Sequence, residues 1–365
     1  LQGTSREQYG QTPYGLPGAL NAVVHQPGLV LLLNLRQQSS MSSPAHVTIH
    51  PSQFPDRVRR DLLLSLRSRQ VNHKFHYDTV KQTQKWLALH DAFSPARTDP
   101  DCAATYDAAF TAAANQISAA RVHLIALGCG GGQKDLRLLQ LLRQNGKQTA
   151  CTLSDVGAPM VLVARAAVLD ALPDVECHTL VCDLATADDL PEILAPSIHP
   201  DAARLVTFFG MIPNFEPQII LPRLAALLRP TDYLLFSANL APGPDYAAGV
   251  QRILPLYDND LTREWLLTFL LDLGVERTDG SLNFSVEDSN DLKRIVANFK
   301  FSASRQISID RETFAFRIGD AIRLFFSYRH TPGLVRTLLA PHGIKVLDQW
   351  ITQSGEEGVF LCQRA

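Results

Sequence analysis

Val122-His-Leu-Ile-Ala-Leu-Gly128-Cys-Gly130-Gly-Gly132 carries a mostly apolar run into a cluster of glycines, and Leu136, Leu139 and Leu142 come next at helical spacing. The unbroken run reads as a buried strand, and the spacing after it as a helix. Glycine permits positive φ and a close approach of a ligand to the backbone. The helix N-terminus beyond adds free N–H groups. The pattern predicts a nucleotide-binding corner, with a simple packing turn as the alternative.

Two acids downstream of the corner sharpen that reading. A second strand expected over 149–153 ends in Ser154-Asp155, and a third over 177–182 ends in Asp183-Leu184. An acid at the carboxyl end of the second strand is placed to accept both ribose hydroxyls of an adenosine. The next acid can take the adenine amino group. Either acid alone could instead cap the helix after it.

NAD and S-adenosylmethionine both use such a corner. The dinucleotide pattern G-x-G-x-x-G would need glycine where the chain has Gln133, whereas glycines stand at 128, 130 and 132. The resulting G-x-G-x-G is the methyltransferase version, since adenosylmethionine has no pyrophosphate to seat. The implied cofactor is S-adenosylmethionine.

At 365 residues and 46% hydrophobic content the chain can bury a full core, and its length suggests two domains or one enlarged by an insertion. A net charge of −2 argues against a general nucleic-acid binder. Arg57-Val-Arg59-Arg60 and Arg67-Ser-Arg69 alternate with leucines and read as the solvated side of an amphipathic helix. The six cysteines lack metal-type spacing and fit small buried hydrophobes in a reducing compartment, so a cytoplasmic protein is expected. The histidines show no H-E-x-x-H spacing, and no metal is expected. Gly28 to Leu33 is too short to cross a bilayer, so no membrane partner is expected. Residues 1–40 read as an extension of uncertain structure, with Met41 as a candidate start.

Helical patterns are expected over 54–66, 77–90 and 103–120, then alternating strands at 122–127, 149–153, 177–182, 204–209 and 232–238 with helices at 133–144, 158–171, 187–194 and 217–228. Asn145-Gly146 reads as the C-cap of the first of these helices. Ala241-Pro-Gly-Pro244 breaks the alternation. A helical region is expected next over 246–273, then strand-like segments at 298–309 and 313–318. The sheet is expected to resume at 321–328 and to close, after a helix, with an antiparallel pair at 344–351 and 358–362. The fold class is therefore α/β, a Rossmann-like sheet of the class I methyltransferase kind with a helical N-terminal cap and an α+β substrate-binding insertion. The expected parts are a cap over 41–120 that contributes to the substrate domain, a core over 121–240, an insertion over 241–318 and a completion of the core sheet over 319–365.

Together these residues resemble the histidine-specific methyltransferase family, the trimethylating enzymes of ergothioneine biosynthesis and their relatives, over about residues 70–362. The most specific matches are Gly128-x-Gly130 with Lys134, Ser154-Asp155-Val156, Asp183-Leu184 and Phe209-Gly210-Met-Ile-Pro-Asn214-Phe. The resemblance implies adenosylmethionine held by Gly128, Gly130, Lys134, Asp155, Asp183 and Leu184. It also implies that Asn214 contacts the substrate amino acid, that Tyr257 binds its carboxylate and that Tyr77 lines the amine pocket. Plainer roles stand beside these: Lys134 as a solvated first-turn lysine, Asn214 as a partner of its own loop, Tyr257 packed on Trp265.

Two departures bear on the acceptor. Where the family has a tyrosine pair before Pro-Thr-Arg, this chain has Phe93-Ser94-Pro-Ala-Arg97, and where it has Glu-x-Ser the chain reads Phe325-Phe326-Ser327. Loss of that glutamate removes the partner of an imidazole N–H. An aromatic or apolar amine becomes more attractive, as in the dimethylallyltryptophan N-methyltransferases that resemble this family. The expected function is an adenosylmethionine-dependent N-methyltransferase acting on the amine of an amino acid or related small molecule, with Tyr77 and Asn214 catalytic and Phe93, Tyr257, Phe325 and Ser327 binding substrate. A noncatalytic adenosylmethionine-binding module with a degenerate acceptor site and a small-molecule O-methyltransferase are the alternatives.

Overall fold

Every residue of the strand Arg121–Leu127 after its arginine is buried, as a parallel strand covered on both sides requires. Leu124 and Ala126 pack into one layer and Ile125 and Leu127 into the other, in keeping with the two-residue period of a strand. The computed structural model describes residues 44–365, so the extension expected over 1–40 and the Met41 start lie outside the described residues.

The strands are β1 (Thr48–Ile49), β2 (Arg121–Leu127), β3 (Gln148–Asp155), β4 (Glu176–Val181), β5 (Ala203–Phe208), β6 (Tyr233–Asn239), β7 (Gly280–Ser289), β8 (Leu292–Phe301), β9 (Arg305–Ile309), β10 (Glu312–Phe316), β11 (Ala321–Arg329), β12 (Ile344–Ile351) and β13 (Glu357–Arg364). Eight form the main sheet in the order β1-β4-β3-β2-β5-β6-β13-β12, with β13 antiparallel to both its neighbours. The chain builds outward from β2 through β3 to β4, then returns to the other side of β2 with β5. The crevice between the carboxyl ends of β2 and β5 is thus a topological switch point, where open α/β sheets bind ligands.

Helices Pro100–Gln116, Gln133–Gln144 and Ala158–Ala171 cover one face of this sheet, and Leu190–Leu194, Pro217–Leu227 and Pro332–Leu339 the other. The helices expected at 133–144 and 158–171 form at those bounds. Gly146, at φ 75°, ends the first of them with Lys147 N donating to Leu142 O.

Three expectations need correction. Residues 321–329 do not resume the main sheet: β11 pairs antiparallel with β8, which pairs with β7, in a separate three-stranded sheet. Its Ile322, Leu324 and Phe325 bury against Phe299 and Trp265, so the insertion runs to Arg329 and the boundary at 319 falls inside it. The strand Gly280–Ser289 carries polar residues on its outer face and was not expected from periodicity. Finally, the segment 41–120 is not one cap. Cys102, Tyr106, Ala109 and Phe110 of Pro100–Gln116 pack on the main sheet, whereas Leu66, Val71 and Phe75 enter the core of the insertion. Residues 46–365 form one compact unit.

The turn His73–His76 links these cores. Phe75 is buried against Phe269 of the insertion helix Asp260–Asp272, ring centroids 5.7 Å apart. Phe75→Ala is expected to cost about 3 kcal/mol, measured by urea denaturation, with hydrogen-exchange protection lost first over residues 69–77.

Candidate active site

A cavity of about 800 Å³ lies between the carboxyl ends of β2 to β5 and the segment 70–77 with the helix Val80–Phe93. Its floor is the glycine corner. Gly128 and Gly130 have φ of 70° and 52°, in the region that side chains avoid. A Cβ added to Gly128 would sit 2.5 Å from Met211 Sδ, and one added to Gly130 would sit 3.0 Å from the Trp86 ring. The corner is a cradle that any larger residue would fill.

Asp155, at the end of β3, turns its carboxylate onto this corner. One oxygen accepts from Gly130 N at 3.2 Å, and the other from Val156 N at 2.8 Å and Gly157 N at 3.3 Å. Burial pushes its carboxyl up to about 6, against those three backbone donors. Asp183 behaves differently. Its Oδ1 accepts from Ala185 N at 2.9 Å, a bond within its own turn and not a helix cap, since the next helix begins at Leu190, while Oδ2 is buried with no hydrogen-bond partner among the described residues. Lys74 Nζ lies 3.6 Å from that oxygen and donates to Asp61 at 2.6 Å. Asp183 therefore lines the cavity with one buried acceptor lacking a hydrogen bond, beside the buried Leu184.

Lys134 is not a solvated first-turn residue. Its Nζ donates to Tyr106 Oη at 2.7 Å and stands 3.8 Å from Glu357, which also bonds the Tyr106 hydroxyl. Burial, then the Glu357 charge, raise the Tyr106 hydroxyl well above its ordinary value. The sequence reading missed both Tyr106 and Glu357, because the three residues meet only when the helix Pro100–Gln116 and β13 are packed on the sheet.

On the opposite wall, Asn214 Nδ2 donates to Phe326 O at 2.8 Å and ties the loop after β5 to β11. Its Oδ1 accepts no hydrogen bond among the described residues. Tyr77 packs edge-on against Trp86 and Trp265. Burial and then the Asp155 charge raise its hydroxyl, which therefore stays protonated. His73 and His90 also face the cavity, pushed down by burial to about 3 and about 4. Both are neutral.

Tyr77, Gly128, Gly130, Lys134, Asp155, Asp183, Leu184 and Asn214 meet on this one cavity, while Phe93, Tyr257, Phe325 and Ser327 stand off its wall. Phe93 is 53% exposed at the end of its helix, because the inward face is set by Trp86 and His90 at i and i+4, stacked 4.8 Å apart. Phe325 points into the insertion core, and Phe326 fronts the cavity instead. A bulge between Arg323 and Phe325 causes this: it breaks the alternation, so Leu324 and Phe325 both face the core and Arg323 and Phe326 share the cavity side. Tyr257 Oη donates to Ser327 Oγ and accepts from Arg329 Nη2, each at 2.8 Å. Of the residues not foreseen, the Trp86 and His90 pair carried a signal in its helical spacing; the bulge carried none.

Comparison with solved structures finds distant likenesses. The magnesium protoporphyrin IX methyltransferase of Synechocystis PCC 6803, with bound adenosylhomocysteine, superposes at a TM-score of 0.43 with 13% identity, over 80% of this chain and 98% of that one. The mitomycin 7-O-methyltransferase MmcR gives 0.42 with 15% identity over 86% and 70%. The N,N-8-amino-8-demethyl-D-riboflavin dimethyltransferase RosA of Streptomyces davawensis gives 0.40 with 12% identity over 85% and 70%. No curated protein matches the sequence. The sequence model of the histidine-specific, adenosylmethionine-dependent methyltransferases matches residues 58–364. With its corner, its strand-end acids and that match over most of its length, the chain belongs to the histidine-specific methyltransferase family and is an S-adenosylmethionine-dependent methyltransferase.

Proposed function

We propose that the methyl acceptor is the amine nitrogen of an amino acid or related small molecule. The carrying observation is that the two histidines on the cavity wall are held at about 3 and about 4, while the carboxylates there that lie near 6, Asp135 and Asp155, are already hydrogen-bonded by Thr207 and by backbone N–H groups. A hydroxyl acceptor must shed its proton as it attacks, which calls for a stronger base. A neutral amine brings its own lone pair and needs mainly orientation. Asn214 Oδ1 is available to accept one N–H, and the protonated Tyr77 hydroxyl can accept another through its oxygen.

Bound adenosylmethionine supplies a methyl group made electrophilic by its sulfonium. For this chain's own residues, Asp155 would accept the ribose hydroxyls and the open Oδ2 of Asp183 the adenine amino group, with Leu184 against the base. Gly128 and Gly130 leave room along the backbone, and Lys134, held by Tyr106 and Glu357, would meet the methionine carboxylate.

Mass shifts in multiples of one methyl across a panel of aromatic amines, amino acids and matched alcohols test the reading; transfer to the alcohols alone would refute it. Asp155→Ala is expected to weaken adenosylhomocysteine binding by roughly tenfold to a hundredfold, measured by calorimetry, and to lose turnover. Asp183→Asn, which puts a donor or a weaker acceptor at the same place, is expected to lose about tenfold.

Ionised Asp155 is the better acceptor, and its carboxyl is protonated below about 6 in the free protein. Adenosylhomocysteine affinity is therefore expected to rise with pH through about 6 and level above it. Asp135, also buried and near 6, lies on the same wall. Calorimetric titration of Asp155→Asn across this range removes the share owed to Asp155; an unchanged pH profile would assign the dependence to Asp135.

A further inference from the structure

Five lysine and arginine side chains line the cavity: Lys74, Arg97, Lys134, Arg137 and Arg323. The first four each have an acidic partner within 4 Å. Arg323 has none among the described residues. Its one side-chain bond is from Nη2 to Gln70 Oε1 at 2.6 Å, and its guanidinium lies over the Phe326 ring, 5.3 Å from the centroid.

The nearby acids are already engaged. Glu216 accepts from Arg294 at 3.0 Å and from the Tyr328 hydroxyl at 2.6 Å, and Glu287 accepts from Arg294 at 3.4 Å. Burial and the charge of Arg294 both work against the Arg323 cation. His73, neutral beside Phe326, adds no second positive charge. The backbone fixes the place of this cation: Arg323 N donates to Arg69 O at 2.9 Å and Val71 N to Arg323 O at 2.8 Å. The bulge after it aims the side chain to the cavity side, next to an aromatic surface. A guanidinium with no carboxylate partner among the described residues has donors left for a ligand, and its planar fork matches an oxyanion in two hydrogen bonds.

We propose that Arg323 and Gln70 form an anion subsite at the cap end of the cavity, so that the acceptor has an aromatic body against Phe326 and a carboxylate held by the guanidinium. This deepens the amine reading and rests on the same cavity being the acceptor site. It differs from what the resemblance implies, because the carboxylate is assigned to Arg323 and not to Tyr257.

Unreactive probes separate the two readings. The full chain saturated with adenosylhomocysteine is titrated by calorimetry with indole-3-propionate and with indole-3-propionamide, which differ only in charge at the tail. The acid is expected to bind on the order of tenfold more tightly. Arg323→Met should abolish the difference by weakening the acid alone, and Arg323→Lys should keep part of it, since charge survives and the fork does not. Adenosylhomocysteine affinity in each variant reports that the protein is folded. Equal binding of acid and amide by the wild type, no binding of either, or an equal loss of both in Arg323→Met would overturn the subsite. Methyl transfer to tryptamine and tryptophan is scored separately by mass. Its absence beside a persisting acid preference would remove the amine reading and leave the subsite standing.

Discussion

A strand buried on both faces leaves its last peptide groups without water, so the loop after it must supply their partners and still leave room for a ligand. At the end of β2 the chain meets both demands. Cys129 N donates to Ser154 O and Gly132 N to Cys129 O, each at 2.9 Å, and Gly130 N reaches the Asp155 carboxylate. The acid is thus aimed by the loop it faces. The next turn is equally tight: a Cβ on Gly157 would stand 2.3 Å from Tyr77 O. That closeness, with Lys74 near Asp183 and Trp86 over Gly130, brings the cap segment down onto the strand ends, and the cavity lies between these contacts.

Charge links the same parts. Lys74, 2% exposed, serves two carboxylates, with Asp61 taking the short bond and Asp183 left at 3.6 Å. At 3.6 Å the ammonium is too far to hydrogen-bond Asp183, and a buried acceptor without a donor is expensive. A neutral donor such as an aromatic amino group is what would complete Asp183 without adding a charge. Lys74 sits one residue before Phe75, so the turn that brings a cation to Asp61 and Asp183 is also the turn that plugs into the insertion core. Filling of the Asp183 site and docking of the cap would therefore stabilise each other.

The main sheet was legible because its signals are local. A continuous apolar run, glycines at its end and leucines at helical spacing specify β2, its corner and the helix Gln133–Gln144 without reference to the rest of the chain. The placement of Asp155 and Asp183 was legible for the same reason, being fixed by the ends of their own strands. Features that depend on distant partners were not. β11 has the apolar content of a core strand, and nothing within 321–329 says that its neighbour is β8 and not β6. Tyr106 and Glu357 come from opposite ends of the sequence and meet only across Lys134. Phe93 stands out only by its place in a motif, whereas helix geometry gives the inward positions to Trp86 and His90.

Around Phe325 the side chains bond among themselves. With phenylalanine at 325 the ring joins the aromatic core around Trp265, 5.8 Å from it, and brings no polar group to Ser327. Ser327 is then free to accept from Tyr257, and Arg329 closes the set by donating to Tyr257 Oη and to Leu240 O while lying over the tyrosine ring. Tyr257 has one hydroxyl, already used as both donor and acceptor, so a substrate carboxylate would have to break an internal bond to reach it. Arg323 spends one donor on Gln70, and its remaining donors have no protein acceptor among the described residues. On this balance the proposed subsite would ask an anionic group to displace less internal bonding at Arg323 than at Tyr257, with the Phe326 ring beside the guanidinium.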